Sequence, residues 1–294
     1  MILPDVFENS LLNNKLRLMS EYKYKKPFAK KSFGQNFLID ENYIAKIIDA
    51  LNPKEGEIII EIGPGRGALT ESLIESGAQV IAIELERDMI AVLRQRFGKQ
   101  DNFKLVEADA LQVDFNEAIN SQFEVENPKS TKLVANLPFN ISTAILQKLI
   151  EQRETFSEMI LMFQREVVER ITAKAGNSER GFLSVLVEAY LQADKLFDVP
   201  PKAFSPAPKV WSSVVRLKPK ETIEIADHKM FRKIISAAFR QRRKTIYNNL
   251  KGFSPDFDLK TWLEKSRIDA SRRAETLTLE EWNCLAKQKA GSEI

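Results

Sequence analysis

One cysteine and one histidine are all that a chain of 294 residues contains of those types. Cys284 has no intrachain partner, which excludes a disulfide scaffold and fits a reducing cytoplasm. Near the C-terminus it reads as a structural side chain and not as a nucleophile. His228 alone excludes a multi-histidine metal site and leaves a Ser-His-Asp arrangement unsupported. No metal is expected. No apolar run approaches the roughly 20 residues of a membrane span, so no membrane association is expected either. Residues 1–20 carry Asp5 and Glu8 and lack a continuous apolar stretch, so they read as neither a signal nor a transit peptide. Repeats and low-complexity tracts are also missing.

What remains is an ordinary globular composition, 44% apolar and 29% charged, enough to build a real core in one or two domains. The net charge of +3 hides a segregation. Residues 22–31 hold five lysines and no acid, and residues 205–251 hold twelve Lys and Arg against three acids. A solvated helix face explains one such run; two of them form the electrostatic footprint of a polyanion such as a nucleic acid.

The middle of the chain alternates strand and helix patterns. Ile44, Ile47, Ile48 and Leu51 mark a helix stopped at Asn52-Pro53. Ile58 to Ile62 is a buried-strand run, followed at once by Gly63-Pro64-Gly65-Arg66-Gly67 and a helical pattern over 68–74. Strands are predicted at 80–83, 103–106, 133–135, 159–163 and 214–217, with helices over 143–151 and from Gln164 through Lys174. Residues 185–199 are read as one element and a turn, 204–210 as a proline-rich loop and 219–225 as a linker. The remainder reads helical throughout, with Arg240-Gln241-Arg242-Arg243-Lys244 continuing directly from the helix that carries Phe231, Ile234, Ile235 and Ala238.

A strand, a glycine turn and a helix open a doubly wound α/β fold, in which ligands bind beyond the carboxyl ends of the strands. Three consecutive strands each end in a ligand-capable position. Gly63 and Gly65 allow a close backbone approach at a helix N-terminus. Glu84, ending the second strand, can accept two hydrogen bonds from ribose hydroxyls. Asp109, beyond the third, can accept one from an adenine amino group. The spacing G-x-G-x-G is not the dinucleotide pattern, and no phosphate-binding lysine follows, so S-adenosylmethionine fits better than NAD or ATP. The fourth strand delivers Asn136-Leu137-Pro138-Phe139 to the same edge. Pro138 stops the strand abruptly. An amide acceptor, a backbone acceptor and a ring within four residues suit a planar base with an exocyclic amino group. Upstream, Gln35-Asn36-Phe37-Leu38 reads either as a loop capping the next helix or as a lid over the ligand.

These blocks together closely resemble the small-subunit rRNA adenine dimethyltransferases, the bacterial KsgA/RsmA family, from about Lys31 to the C-terminus. Gln35-Asn36-Phe37-Leu38, Glu61-Ile62-Gly63-Pro64-Gly65, Glu84, Asp109-Ala110 and Asn136-Leu137-Pro138-Phe139 carry part of the likeness. Phe204-Ser205-Pro206-Ala207-Pro208-Lys209-Val210-Trp211-Ser212 and Gln241-Arg242-Arg243-Lys244-Thr245 make it specific to this family. The likeness implies a class I methyltransferase mixed sheet (residues 31–218) with a small all-helical rRNA-binding C-terminal domain (219–294), behind a flexible basic segment (1–30). It implies a cytoplasmic monomer that dimethylates N6 of two adjacent adenosines in the 3′-terminal hairpin of 16S rRNA within the immature 30S subunit, using four S-adenosylmethionine molecules. By motif match, Gln35, Asn36, Leu38, Gly63, Gly65, Glu84, Asp109 and Asn136 would line the cofactor site. Asn136, Leu137, Pro138 and Phe139 would serve the target base, and Lys30, Lys31, Arg240, Arg242, Arg243 and Lys244 the RNA. One departure is visible: the family's Asn-Leu-Pro-Tyr is here Asn-Leu-Pro-Phe, which keeps stacking and loses the phenol. Residues 1–20 exceed the usual family start, and Met19 offers an alternative initiator.

Overall fold

Five of the apolar runs become parallel strands of one seven-stranded sheet. A computed structural model describes residues 36–123, 131–138, 141–253 and 258–290. After a two-residue strand β1 (Phe37–Leu38) and helix α1 (Glu41–Leu51), the elements run β2 (Ile58–Ile62), α2 (Ala68–Glu75), β3 (Gln79–Glu84), α3 (Arg87–Phe97), β4 (Phe103–Glu107) and α4 (Phe115–Gln122). Then come β5 (Lys132–Asn136), α5 (Ser142–Glu151), β6 (Glu158–Gln164), α6 (Arg165–Ile171), α7 (Phe182–Tyr190), β7 (Leu191–Val199), β8 (Phe204–Ser205) and β9 (Ser212–Pro219). The sheet order is β4-β3-β2-β5-β6-β9-β7. From β4 through β6 all pairs are parallel, while β9 is antiparallel to both β6 and β7.

The strand order turns between β2 and β5: the chain first winds outward through β3 and β4, then returns to the other side of β2. That reversal leaves a crevice outside the carboxyl ends of β2 and β5, the usual ligand site of such sheets. Alternation along the strands feeds two cores. Ile59, Val80, Ala82, Val134 and Ile160 pack with α1, α2 and α3 on one face. Ile60, Ile62, Ile81, Leu133, Ala135 and Leu161 face α4, α5, α6 and α7 on the other. Because both faces are covered, the strands read as continuous apolar runs.

The C-terminal stretch adds α8 (His228–Ala238), α9 (Ile246–Leu250), α10 (Leu259–Lys265) and α11 (Leu279–Ala290). Phe231, Ile234, Trp262 and Trp282 belong to the same apolar cluster as Leu186 and Val187 of α7. No helix among the described residues is long and apolar enough to cross a membrane. The reading of residues 1–30 as a flexible basic segment lies outside the described residues.

Two expectations need correction. Residues 185–199 are not one element and a turn: α7 runs straight into β7, with the Leu191 N–H still bonded to the Val187 carbonyl. β7 is an edge strand carrying exposed Gln192, Asp194 and Lys195, and a bulge between Lys195 and Phe197 blurs its alternation. Nor does the basic stretch 240–244 continue α8. The helix closes at Ala238, and Asn249 replaces helical bonds, its Oδ1 accepting the Gln241 N–H (3.1 Å) and its Nδ2 donating to the Gln241 carbonyl (3.0 Å). Thr245 then caps α9 through the Asn248 N–H.

Candidate active site

The glycine turn after β2 forms the floor of the crevice. Gly63, Gly65 and Gly67 all have positive φ, at 65°, 56° and 81°, which side chains resist. The turn is tied down by Gly63 N–H to the Ile83 carbonyl (3.0 Å) and Gly67 N–H to the Pro64 carbonyl (2.9 Å). A Cβ on Gly63 would meet nothing within 4 Å, so open space lies over this residue. One on Gly65 would come within 3.1 Å of the Phe37 ring. Arg66 stacks on the other part of that contact, its guanidinium carbon 4.2 Å from the Phe37 ring centre. The segment 36–38 therefore closes over the glycine turn. Leu38 is buried and pairs with Phe204, so part of the expected proline-rich loop is a short ladder, β1 with β8.

Glu84 ends β3 directly beside the turn. Its Oε2 accepts the Gly65 N–H at 3.2 Å, and its Oε1 accepts those of Leu85 and Glu86, both at 2.9 Å. Burial raises its carboxyl above the ordinary range, and the charge of Glu86 adds to the rise, while the three N–H groups pull the other way. Sequence reasoning assigned Glu84 two ribose bonds. With three backbone donors already on it, a carboxylate with about four acceptor positions keeps room for one more. Glu61, wholly buried under the turn, accepts from Thr70 Oγ1 at 2.6 Å. Burial pushes its carboxyl up to about 7, Thr70 opposing and Glu84 reinforcing. That linked acid pair was not foreseen; the signal was a charged residue inside the otherwise apolar run Ile58–Ile62.

Asp109 follows β4, where the Ala108 N–H binds the Glu84 carbonyl at 3.0 Å. Its Oδ1 accepts the Leu111 N–H at 2.9 Å, a local turn that fixes the carboxylate near the strand ends. Asn136 ends β5 across the switch point from Gly63. Its Nδ2 donates to the Asn36 carbonyl at 3.3 Å, so the amide oxygen is the group it offers outward. This link, through the Asn36 backbone, ties the 36–38 segment to the fourth strand. Leu137 is buried, its N–H on the Met162 carbonyl at 3.3 Å, and the Pro138 carbonyl accepts the Ile141 N–H at 3.3 Å. The structure thus brings Asn36, Leu38, Gly63, Gly65, Glu84, Asp109, Asn136, Leu137 and Pro138 to one sheet edge. Phe139, Gln35, Lys30 and Lys31 lie outside the described residues.

Arg240, Arg242, Arg243 and Lys244 sit elsewhere, exposed on the turn between α8 and α9. Arg242 is bonded to the Ser178 carbonyl, which anchors that turn to the loop before α7. Its guanidinium is not wholly given to solvent.

The acceptor set at the sheet edge fits S-adenosylmethionine: a buried carboxylate for a diol, a half-buried one for an amine, and open space above a glycine backbone. Comparison with known proteins agrees with this chemistry. Residues 28–290 match the family model for ribosomal RNA adenine dimethylase. Ribosomal RNA small subunit methyltransferase A of Pseudomonas putida is 42% identical over 264 residues, covering 89% of this chain and 95% of that protein. The enzyme of the same name from Clostridium botulinum is 37% identical over 276 residues, covering 93% and 97%. Among solved structures, a dimethyladenosine transferase from Plasmodium falciparum superposes with a TM-score of 0.70 at 27% identity, over 85% of this chain and 95% of that one. The 23S rRNA methyltransferase ErmE superposes with a TM-score of 0.63 at 22% identity over 86% and 99%, a likeness of fold. The chain belongs to the ribosomal RNA adenine dimethylase family, S-adenosylmethionine-dependent methyltransferases with a class I sheet.

Proposed function

We propose that this enzyme dimethylates N6 of two adjacent adenosines in the 3′-terminal hairpin of 16S rRNA, acting as a cytoplasmic monomer on the immature 30S subunit. The observation that carries the reading is the Asn136 amide. Its nitrogen is held by the Asn36 carbonyl at 3.3 Å, which turns an acceptor toward the crevice at the switch point. An adenine must leave its stack before N6 can enter such a crevice. In the first transfer the Asn136 Oδ1 and the Leu137 carbonyl accept the two N6 hydrogens, and in the second one of them accepts the single hydrogen that remains, one N6 proton being lost at each transfer. Pro138 fixes the turn that presents them, and Phe139 stacks on the base, an interaction worth roughly 1–3 kcal/mol. Bound S-adenosylmethionine supplies an electrophilic sulfonium methyl. The N6 lone pair is delocalised into the ring, so alignment by two acceptors matters more than a strong base.

Around the crevice, Glu84 holds the ribose, Asp109 the adenine amino group of the cofactor, and Gly63 and Gly65 admit it close to backbone. Gln35, Asn36 and Leu38 cover it. Lys30, Lys31, Arg240, Arg243 and Lys244 hold RNA phosphates, with Arg242 shared between phosphate and the Ser178 carbonyl; residues 219–294 form the RNA-holding domain. Single-turnover transfer by Asn136→Ala and Phe139→Ala tests the assignment. Both should slow transfer at least tenfold, Phe139→Ala at parental affinity for S-adenosylmethionine. Loss of rate only in proportion to lost folded protein would remove the two residues from the base site.

A further inference from the structure

A groove of about 1050 Å³ runs along α8, away from the cofactor crevice. It is lined by four cations, Lys229, Arg232, Lys233 and Arg240, and by four side-chain amides; no acid lines it among the described residues. Three of those cations are exposed, and Lys229, Lys233 and Arg240 have no ion pair among the described residues. Arg232 is different. It donates to Glu151 Oε1 at 2.7 Å and Gln147 Oε1 at 2.9 Å, which fastens α8 to α5 and leaves the Gln147 amide nitrogen facing the groove. Phe182 and Phe253 supply aromatic walls, each partly exposed. Phe253 is backed by Trp262, the two rings stacked with centres 5.9 Å apart.

Each feature alone is common; their combination is not. Lys229 and Lys233 lie one turn apart on α8, a spacing that suits successive phosphates, and Arg240 extends the basic lining from the turn just beyond the helix. Aromatic faces suit an unstacked base, and side-chain amides suit its hydrogen-bonding edge. Sites for drug-sized ligands span about 300–1,000 Å³, so the groove can admit a nucleotide together with its flanking phosphates. An acidic peptide would satisfy the lysines and leave the rings and amides without a role.

We infer that this groove is a second RNA site, which holds an unpaired nucleotide of the rRNA substrate with its base on Phe182 and its phosphates on Lys229 and Lys233. The inference rests on the reading of the chain as an rRNA methyltransferase and adds a contact remote from the reacting base. Gln147 lies on α5, the helix into which the Asn136–Pro138 loop leads, so the occupied groove abuts the element that follows the base site.

The test uses the full chain and a short single-stranded RNA carrying one 2-aminopurine, whose fluorescence falls on stacking. Binding to the parent should quench it. Phe182→Leu keeps an apolar side chain and should abolish quenching while leaving the salt slope of binding unchanged. Lys229→Ala with Lys233→Ala should lower that slope by about 1.4, two phosphate contacts of roughly 0.7 each. Asn136→Ala should quench like the parent, which separates the groove from the base site. Melting temperatures within a few degrees of the parent qualify the variants, and Phe182→Tyr, which keeps a ring, should restore quenching if Phe182→Leu is folded. Quenching that survives Phe182→Leu, or a parental slope in the lysine pair, overturns the inference. A polyglutamate peptide that binds while the RNA does not also overturns it. Methyl transfer by the same variants to unmodified small subunits is read in parallel. Transfer at the parental rate with no groove signal defeats the groove alone, and absence of transfer by the parent defeats the functional reading.

Discussion

Replacing Glu84 with glutamine separates what this residue does for the fold from its proposed role at the cofactor ribose. In the parent, Oε1 accepts two backbone N–H groups and Oε2 accepts the Gly65 N–H at 3.2 Å. Glutamine keeps one carbonyl oxygen, sufficient for Leu85 and Glu86. Its NH₂ then faces the Gly65 N–H, donor against donor. A buried donor left unsatisfied costs about 1–3 kcal/mol, so the variant should melt lower yet remain folded. The ribose bond is a different quantity. One hydrogen bond to an ionised carboxylate is worth about 1.5–3 kcal/mol, so S-adenosylmethionine should bind roughly tenfold to a hundredfold more weakly. Acidity sharpens the test, because the Glu84 carboxyl is raised by burial. The folded state favours its protonated form, so its contribution to stability is full at low pH and is lost as pH rises through the raised value. Cofactor affinity has the opposite sign, since the ribose acceptor is strongest when ionised: parental affinity should fall on acidification and that of Glu84→Gln should not. Isothermal titration of S-adenosylmethionine over a pH series, beside thermal unfolding, measures both. Affinity within twofold of the parent in a folded variant would remove Glu84 from the ribose.

Glu61→Gln should flatten a pH dependence of stability. With a folded value of about 7 against 4.5 ordinarily, Glu61 contributes stability below about 4.5 and loses it as pH rises to about 7, some 3 kcal/mol in all; chemical denaturation of both proteins across that range checks it, and a gap that does not widen with pH contradicts the assignment. Trp282→Ala should cost about 3–5 kcal/mol, because the ring is fully buried in the cluster shared by α7, α8 and α11. Monitoring a tryptophan signal and far-ultraviolet dichroism together should show both transitions moving down; an unchanged melting temperature would contradict that packing. Arg242→Ala with Arg243→Ala should flatten the salt dependence of rRNA binding by less than two full phosphate contacts, since Arg242 is held by the Ser178 carbonyl; a drop of two full contacts would mean that bond yields entirely to RNA.

The sheet was largely legible in the sequence because both its faces are covered. Ile58–Ile62, apolar but for Glu61, and the apolar run 133–135 within Lys132–Asn136 are punctuated by glycine or proline, and each predicted strand falls within an observed one. The placement of Gly63, Glu84 and Asn136 at the carboxyl edge of the sheet was legible for the same reason, since they stand where the apolar runs stop. β7 was not, since an edge strand with Gln192, Asp194 and Lys195 outward lacks that signature. The break after Ala238 was hidden because it depends on one distant amide, Asn249, closing on the Gln241 backbone. Glu61 was read as part of a motif, while its raised carboxyl comes first from burial in the packed fold, opposed by Thr70 and reinforced by Glu84, nine and twenty-three positions along the chain. The α8 groove depends on how helices dock, which periodicity does not specify.

The central claim is tested most directly by incubating the purified chain with labelled S-adenosylmethionine and small subunits from cells lacking the modification, then mapping the label. The account predicts label only in 16S rRNA, as N6,N6-dimethyladenosine at two adjacent positions of the 3′-terminal hairpin. Label in 23S rRNA, at a single adenosine, or in no RNA at all would contradict it.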